Sequence, residues 1–335
     1  MKSLEQHVML VTGATNGLGK QLAHELAAAG ATVLLHGRDP TRGEAVLREI
    51  SGATGNDRLA FYLADFASLA QIRRLADEIL TDHDRLDVLV NNAGIGFGRR
   101  DAPEREVSQD GFERRFAVNY LAPFLLTRLL QPLLVRSAPA RIVNVASAGQ
   151  APIDFDDVML ERAYDGVRAY RQSKLALVMF TFDLADELRD AGVTANCLHP
   201  GTFMPTKMVL EAGVNPVSSL EQGLQATLRL VADADLDGVT GRYFDGQREA
   251  RALPQAYDLD ARRRLRELSS QLVGLPTEAM REATTTSIPA PARQCTGADH
   301  DSGRTATPLP LSHRTGRGPV SSDETARRRR RTHWG

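Results

Sequence analysis

The stretch TGATNGLGK at residues 12–20 places three glycines within seven positions, directly after a short aliphatic run. Glycine costs about 0.5–1 kcal/mol relative to alanine inside an ordered element, so this density indicates that something approaches the main chain closely. The residues before it, HVMLV at 7–11, have the pattern of a strand, and KQLAHELAAAG at 20–30 has that of a helix. A strand, a glycine-rich turn and a helix N-terminus together form a pocket for an anionic phosphate.

Composition sets the broad class of protein. At 335 residues and 42% hydrophobic content, the chain is long enough to bury one large core or two modest ones. Its net charge of −1 gives no signature of nucleic-acid binding. Cys197 and Cys295 lie far apart without metal-ligand spacing, which favours a reducing compartment and predicts no metal site. With neither a run of about 18 apolar residues nor a signal peptide, we expect a cytoplasmic protein without a membrane span.

The composition changes near residue 282. Residues 283–335 contain no Phe or Tyr, are interspersed with Pro, Gly, Ser and Thr, and carry nine Arg against four Asp or Glu. Such a segment buries too little apolar area to offset its ordering entropy, so we predict a disordered tail at 283–335 after one domain at 1–282. The arginine run at 327–331 is either a solvated end or a contact for an anionic surface.

The body alternates between strand and helix patterns. Strand patterns occur at 7–13, 31–37, 58–65, 86–94, 140–147, 194–201 and 241–246. Most are continuous aliphatic runs, as expected for strands covered on both faces. Long helical patterns cover 108–135 and 167–192, Asp39 with Pro40 predicts a capped helix start, and Ser68 with Gln71 predicts a capping box. The fold expected is α/β, a single doubly wound parallel sheet of the Rossmann type with helices on both faces.

Polar motifs follow three of these strands at the edge where ligands bind in such sheets. They are NNAG at 91–94, NVAS at 144–147 and LHPG at 198–201. The next long helix carries YRQSK at 170–174, and the i, i+4 spacing places Tyr170 and Lys174 on one helix face. Each motif alone has an ordinary explanation as a turn or a surface pair. Together and in this order, they indicate one catalytic site.

Over residues 5–275 the chain resembles the short-chain dehydrogenase/reductase family. The matching residues are Thr12-Gly13-x-x-x-Gly17-x-Gly19, Asp65, Asn91-Asn92-Ala93-Gly94, Asn119, Ser147, Tyr170-x-x-x-Lys174 and Pro200-Gly201. HGRDPTRGEAVLREI at 36–50, NYLAPFLLTRLL at 119–130 and the long 147–170 segment with IDFDD make it most similar to the retinol-dehydrogenase-like branch. The resemblance implies an oxidoreductase that moves a hydride between a nicotinamide and a carbonyl or alcohol carbon.

The resemblance also implies four catalytic roles. Tyr170 is expected to exchange a proton with the substrate oxygen, and the Lys174 ammonium to lower the pKa of that phenol from its usual value of about 10. Ser147 is expected to hydrogen-bond the substrate oxygen. Asn119 is expected to hold a water that connects Lys174 to solvent, with the alternative that its amide only bridges backbone groups nearby.

A nicotinamide dinucleotide is the implied cofactor. Its expected binding residues are Gly13, Thr15, Asn16, Gly17, Leu18, Gly19, Arg38, Asp65, Asn92, Ala93, Gly94, Tyr170, Lys174, Pro200 and Gly201. Two positions depart from the family pattern. Phe66 stands where Leu is usual, and Pro205 stands where a carboxamide-contacting Thr is usual, which leaves Thr202 or Thr206 for that contact.

The end of the second strand bears on the choice between NAD and NADP(H). Members that prefer NAD carry an acidic residue there, whereas this chain has Gly37 followed by Arg38. A guanidinium suits the dianionic 2′-phosphate of NADP(H), which is therefore the expected cofactor. The alternative is that Arg38 pairs with Asp39, or stacks on adenine with NAD bound.

The segment TFMPTKMVLEAGVNPVSSL at 202–220 is expected to form a flap over the site. Phe203, Met204, Met208 and Val209 make it apolar, which predicts a small to medium apolar ketone, aldehyde or alcohol as substrate. The alternative is that these side chains pack the flap against the body.

Two other functions remain open at this point. One is a non-catalytic nucleotide-binding regulator, which the complete set of four catalytic positions disfavours, and the other is a reductase of carbon–carbon double bonds. The helices at 108–135 and 167–192 form dimer faces in many family members, so a homodimer is a further expectation.

Overall fold

The computed structural model describes residues 4–98 and 104–276, whose strands form one eight-stranded sheet in the order β3-β2-β1-β4-β5-β6-β7-β8. The strands are β1 Val8–Val11, β2 Thr32–Gly37, β3 Leu59–Leu63, β4 Val88–Asn91, β5 Ala140–Val145, β6 Val193–His199, β7 Tyr243–Asp245 and β8 Arg248–Ala250. All neighbouring pairs from β3 to β7 are parallel, which confirms the predicted doubly wound sheet. The short β8 was not predicted; it pairs antiparallel with β7 and closes that edge of the sheet.

Helices cover both faces of the sheet. They are α1 Gly17–Ala28, α2 Pro40–Thr54, α3 Leu69–Asp82, α4 Arg114–Phe116, α5 Ala122–Arg136, α6 Gly166–Glu187, α7 Lys207–Glu211, α8 Leu220–Ala232 and α9 Leu259–Leu272. Along β1, Met9 and Val11 are buried against the face that carries α1, α2 and α8, whereas Leu10 is buried against α3, α5 and α6. Each such side chain contributes about 1.5–3 kcal/mol when removed from water. The continuous aliphatic strands follow from this burial on both faces.

The two predicted helix starts, at Asp39 and at Ser68, differ in their capping. The Asp39 side chain accepts a hydrogen bond from the Arg42 backbone N–H, and Pro40 opens α2, which confirms the predicted start. The capping box predicted at Ser68 is wrong, because the Ser68 side chain makes no capping bond. The Gln71 side chain instead accepts a hydrogen bond from the Asp65 N–H at 2.9 Å, and so supports the turn after β3.

The helix predicted over 108–135 is interrupted. Its first residues form a turn in which the Ser108 hydroxyl accepts from the backbone N–H groups of Asp110 and Phe112. Helical structure begins at Arg114 and passes through a π-helical turn, Ala117–Leu121, before α5. Such widened turns are rare and often occur at functional sites. The second long helix runs over Gly166–Glu187, with a separate 3₁₀ turn at Arg189–Ala191 in place of its predicted last turn.

Within the described residues, one helical stretch, Arg114–Arg136, is long and apolar enough to cross a membrane. Buried residues make up 72% of its most apolar window, because this stretch packs in the core beside α3 and α6. The tail predicted at 283–335 lies outside the described residues. The cytoplasmic location, the absence of a membrane span and the homodimer stay predictions.

Candidate active site

A cleft of about 570 Å³ opens at the carboxyl ends of the strands, where the strand order reverses between β1 and β4. Ligands bind at such switch points in open α/β sheets. All fifteen residues predicted to bind the cofactor line this cleft, and so does Ser147. Asn119 does not line it but lies buried behind its wall.

The glycine-rich turn is in direct backbone contact with its neighbours. A Cβ at Gly19 would stand 2.4 Å from the Gly13 carbonyl oxygen, and a Cβ at Gly13 would stand 2.8 Å from the Cα of Ala93. The Thr12 hydroxyl accepts hydrogen bonds from the backbone N–H groups of Asn92 and Ala93 at 2.9 and 3.0 Å. The turn, the start of α1 and the end of β4 are therefore fixed to one another, and their glycines leave bare backbone along part of the cleft.

His36, at the end of β2, is a part of the site that the sequence reading missed. Its Nδ1 accepts a hydrogen bond from the Gly13 N–H at 3.2 Å, and its Nε2 lies 3.0 Å from the Ala64 carbonyl oxygen. These partners require a neutral ring with its proton on Nε2, and burial lowers the pKa of His36 to about 4. Phe66 stacks on this imidazole at a centroid distance of 4.2 Å, which gives the unusual Phe a structural role.

Two arginines lie near the carboxyl end of β2, and the strand itself ends in Gly37 and not in an acidic residue. Arg38 and Arg42 both line it, although only Arg38 was predicted. Asp39 caps α2 and lies 3.8 Å from the Arg42 guanidinium. Among the described residues the Arg38 side chain has no ion-pair or hydrogen-bond partner, so the expected alternative of an Arg38–Asp39 pair does not form. A Cβ at Gly37 would stand 2.5 Å from the Thr15 side chain, so this strand end accommodates only glycine without a shift.

The predicted catalytic side chains meet where β5 ends and α6 passes. The Ser147 hydroxyl accepts from the Gly149 N–H at 3.0 Å and hydrogen-bonds the Tyr170 phenol. The Lys174 ammonium lies 5.9 Å from the centre of the Tyr170 ring and donates to the Val145 carbonyl at 2.9 Å. One acid, one hydroxyl donor and one cation are thus held together at the cleft wall.

The pKa values at this site do not follow the simple prediction. Burial raises the pKa of Tyr170, and the hydrogen bond with Ser147 opposes that rise. Burial lowers the pKa of Lys174 to about 8. The expected lowering of the Tyr170 pKa by Lys174 is therefore wrong for this arrangement, in which desolvation is the larger effect. What the structure does provide is a lysine whose pKa lies close to neutral pH.

Asn119 braces the site from behind. Its side-chain oxygen accepts from the Ile95 N–H at 2.8 Å, and its amide donates to the Ile95 carbonyl and to the Ser173 hydroxyl, both at 3.1 Å. A Cβ at Gly94 would stand 3.1 Å from the Asn119 oxygen and 3.5 Å from the Lys174 nitrogen. The side chain thus bridges backbone on another segment, and the predicted water-holding role stays a prediction.

A buried ion pair, also absent from the sequence reading, holds the loop after β4. The Arg115 guanidinium donates to the Gly96 carbonyl at 3.0 Å, to the Tyr164 hydroxyl at 2.5 Å and to Glu113 at 3.4 Å. Both charged side chains are almost fully buried. The anchored loop presents Phe97 to the Tyr170 ring, edge to face at 6.2 Å.

The apolar residues of the flap differ in their contacts and exposure. Met204 packs against the body. Its sulfur lies beside Gly223, only 2.3 Å from the position that a Cβ there would occupy. Met208 packs on the loop after β4, where its Cγ lies 2.6 Å from the position that a Cβ at Gly96 would occupy. Phe203 remains about one-third exposed at the cleft. Met204 and Met208 thus pack the flap against the body, as in the alternative, and the apolar substrate stays a prediction.

The two threonines considered for the contact after Pro-Gly lie in different places. The Thr202 hydroxyl lies 3.1 Å from Nε2 of His199. The Thr206 methyl group faces the glycine-rich turn, 3.3 Å from the position of a Cβ at Gly17. Thr206 precedes α7, and its side chain makes no capping bond there. It lies instead over the glycine-rich turn, where the phosphates are expected to bind.

These residues fit a nicotinamide dinucleotide. Bare backbone at Gly13, Gly17 and Gly19 lies at the start of α1, where a pyrophosphate is stabilised by N–H groups and the helix dipole. Arginines stand at the adenosine end, and the paired Tyr170 and Lys174 stand at the other end.

Comparisons with known proteins show the family to which this fold and sequence are similar. The family model for short chain dehydrogenases matches residues 7–215. Retinol dehydrogenase 13 from Homo sapiens is 39% identical over 292 residues, which cover 82% of this chain and 86% of the relative. A crystal structure of an uncharacterized Mycobacterium paratuberculosis protein is 30% identical and covers 83% of this chain and 97% of its own, with a TM-score of 0.67. A short chain dehydrogenase from Escherichia coli CFT073 complexed with NADPH is 29% identical, with coverages of 74% and 99% and a TM-score of 0.61.

The neutral state of His36 predicts a pH dependence of stability. The unfolded chain binds a proton at this side chain near pH 6.5 and the folded chain only near pH 4, so the stabilisation is complete above pH 6.5 and is lost as the pH falls through 4. Between about pH 7.5 and about pH 5, the free energy of unfolding should fall by about 2 kcal/mol through this group.

Urea unfolding at both pH values tests this. His36→Asn keeps an acceptor for Gly13 and cannot titrate, so its stability should fall by about 2 kcal/mol less than that of the wild type. His24→Asn, at a half-exposed histidine beside Glu25, controls for the loss of an imidazole. An equal pH dependence in the wild type and His36→Asn would contradict the assignment.

Proposed function

This chain belongs to the short-chain dehydrogenase/reductase family, in its retinol-dehydrogenase-like branch, and we propose that it is an NADP(H)-dependent enzyme. Its reaction interconverts a small to medium apolar ketone or aldehyde and the corresponding alcohol. The observation that carries this proposal is the cluster of Ser147, Tyr170 and Lys174 on the wall of a dinucleotide-sized cleft.

When bound, the cofactor supplies or accepts the hydride. In the direction of reduction, the Tyr170 phenol donates its proton to the substrate oxygen as negative charge develops there. The Ser147 oxygen already accepts from the Gly149 N–H, so its own hydrogen is available to Tyr170 or to a substrate oxygen between them. A donor fixed before the reaction stabilises developing charge more effectively than water does.

Lys174 connects the phenol to the rest of the protein. Its pKa of about 8 keeps it mostly protonated near neutral pH and still able to release a proton, which suits the reprotonation of Tyr170. The bond to the Val145 carbonyl fixes the ammonium while leaving two of its protons free. The absence of a side chain at Gly94 leaves room for this arrangement.

NADP(H) is favoured over NAD(H) by the charges at the end of β2. Arg38 is exposed in the cleft and has no partner among residues 4–98 and 104–276, and Arg42 lies one helical turn further along. Charge-assisted bonds from guanidinium groups to a phosphate are among the strong hydrogen bonds of proteins. The NADPH complex of the related Escherichia coli protein supports the same choice.

The substrate side of the cleft supports an apolar carbonyl compound. This side of the cleft is lined by Ile95, Phe97, Val167, Phe203 and Met208, and Met208 packs on Gly96, next to Phe97. Apolar walls with a few directed polar groups are typical of small-molecule sites.

Removing the phenolic hydroxyl tests the reaction. Tyr170→Phe keeps the ring against Phe97 but loses the transferable proton, so we expect turnover of an aldehyde panel to fall by at least about 10²-fold. NADPH binding, measured by titration, should stay close to that of the wild type. Tyr257→Phe removes a hydroxyl that accepts from the Ala252 N–H outside the cleft and serves as the control. A Tyr170→Phe variant with more than about a tenth of wild-type turnover would exclude this phenol as the proton donor.

Cofactor preference is best tested on the arginines, because a side chain at Gly37 would collide with Thr15. Arg38→Gln should weaken NADPH binding at least about tenfold, equivalent to 1.4 kcal/mol, and Arg42→Gln should add to this loss. NADH binding should change little. Arg48→Gln removes the same charge from an exposed position on α2 and should affect neither cofactor. Equal weakening of NADH and NADPH in Arg38→Gln would contradict the role of these arginines.

A further inference from the structure

Arg171, next to Tyr170 in the chain, places a positive charge on the substrate side of the cleft. On α6, Val167, Tyr170, Arg171 and Lys174 occupy positions i, i+3, i+4 and i+7, and all four line the cleft. Residues at these spacings share one helix face. The catalytic face of α6 therefore carries a second cation besides Lys174.

The guanidinium of Arg171 lies close to the reacting groups. Its Nε is 3.9 Å from the position that a Cβ at Gly149 would occupy, and the Ser147 hydroxyl oxygen is 3.4 Å from that same point. Since residue 149 has no side chain, nothing from it stands between the two. The Arg171 side chain is thus within reach of a substrate whose carbonyl oxygen lies at Ser147 and Tyr170.

Charged residues elsewhere on this cleft and one turn earlier on α6 are already paired. Lys207 and Glu211 on the flap pair with each other at 3.4 Å, and Arg168, one turn earlier on α6, pairs with Asp154 at 3.1 Å. In residues 4–98 and 104–276, the Arg171 side chain has neither an ion-pair nor a hydrogen-bond partner. It is a cation beside the reaction centre whose charge the described protein leaves uncompensated.

We propose that Arg171 binds a carboxylate on the substrate, so that the preferred substrates are oxo acids with an apolar chain and the corresponding hydroxy acids. This inference rests on the proposed function and specifies its substrate class. A guanidinium recognises a carboxylate through two parallel hydrogen bonds, which fix orientation as well as adding affinity. The apolar wall from Phe97 to Met208 accommodates the chain, while Arg171 holds its charged end at the mouth of the cleft.

Matched pairs of substrates test the proposal. The probes are butanal, hexanal and nonanal, each compared with its ω-carboxylate, namely succinic, adipic and azelaic semialdehyde, in the presence of NADPH. The ratio of kcat/KM for the charged and uncharged members isolates the contribution of the carboxylate. For at least one chain length, we expect the wild type to favour the charged member at least about tenfold, and added salt to reduce this ratio.

Variants then assign the preference to one side chain. Arg171→Gln should bring the ratio close to one, and Arg171→Lys, which keeps the charge but not the fork of donors, should retain part of it. Arg168→Gln removes the same charge three residues earlier, outside the cleft, and should keep the wild-type ratio. Melting temperatures of all variants exclude loss of folding as the cause.

The outcomes separate this inference from the proposed function. Turnover of both members of each pair at equal kcat/KM, or an unchanged ratio in Arg171→Gln, would overturn the role of Arg171 and leave the carbonyl reductase intact. Failure of the wild type to reduce any of the six aldehydes would contradict the proposed function, and the inference with it.

Discussion

The close packing of the start of α1 on the tips of β1 and β4 is the constraint on which the site depends. A side chain at Gly19 would meet the Gly13 carbonyl oxygen and the side-chain amide nitrogen of Asn92, both at 2.4 Å, so the start of α1 packs directly on the turn and on the residue that follows β4. Thr12 and His36 add hydrogen bonds that hold the turn in place from β4 and from β2. The bare backbone at Gly13, Gly17 and Gly19 is the result of this packing, and its N–H groups can stabilise an anionic ligand.

The same constraint reaches the catalytic side chains through the end of β4. Asn91 donates to Asn144 at 2.8 Å, which ties β4 to β5, and β5 leads directly to Ser147. A second tie runs through Asn119, whose amide joins the loop after β4 to Ser173 on α6, beside Lys174. Because these polar groups are buried, breaking either tie would leave unpaired atoms at a cost of about 1–3 kcal/mol each. The cofactor turn and the catalytic cluster therefore form one rigid unit.

Sequence patterns alone predicted the sheet, because aliphatic runs buried on both faces leave a continuous signal. They also brought together the residues of the cleft, since the family motifs mark strand ends. What they missed depends on contacts between distant segments. His36 reads as an ordinary strand residue, and Arg42 as a surface helix residue. Gln71 has the spacing of a capping box but bonds a backbone N–H six residues earlier. The expected lowering of the Tyr170 pKa by Lys174 failed because burial of the phenol, which spacing does not report, raises that pKa.

In the reaction that we propose for this cleft, a hydride moves to a carbonyl carbon while Tyr170 protonates the oxygen. The most direct measurement uses NADPH deuterated at carbon four of the nicotinamide, each epimer separately, with an α,β-unsaturated ketone as substrate and mass spectrometry of the product. We expect one epimer to give an allylic alcohol with deuterium on the carbinol carbon. Deuterium on the β-carbon of a saturated ketone would contradict the account and identify a carbon–carbon double-bond reductase on the same fold.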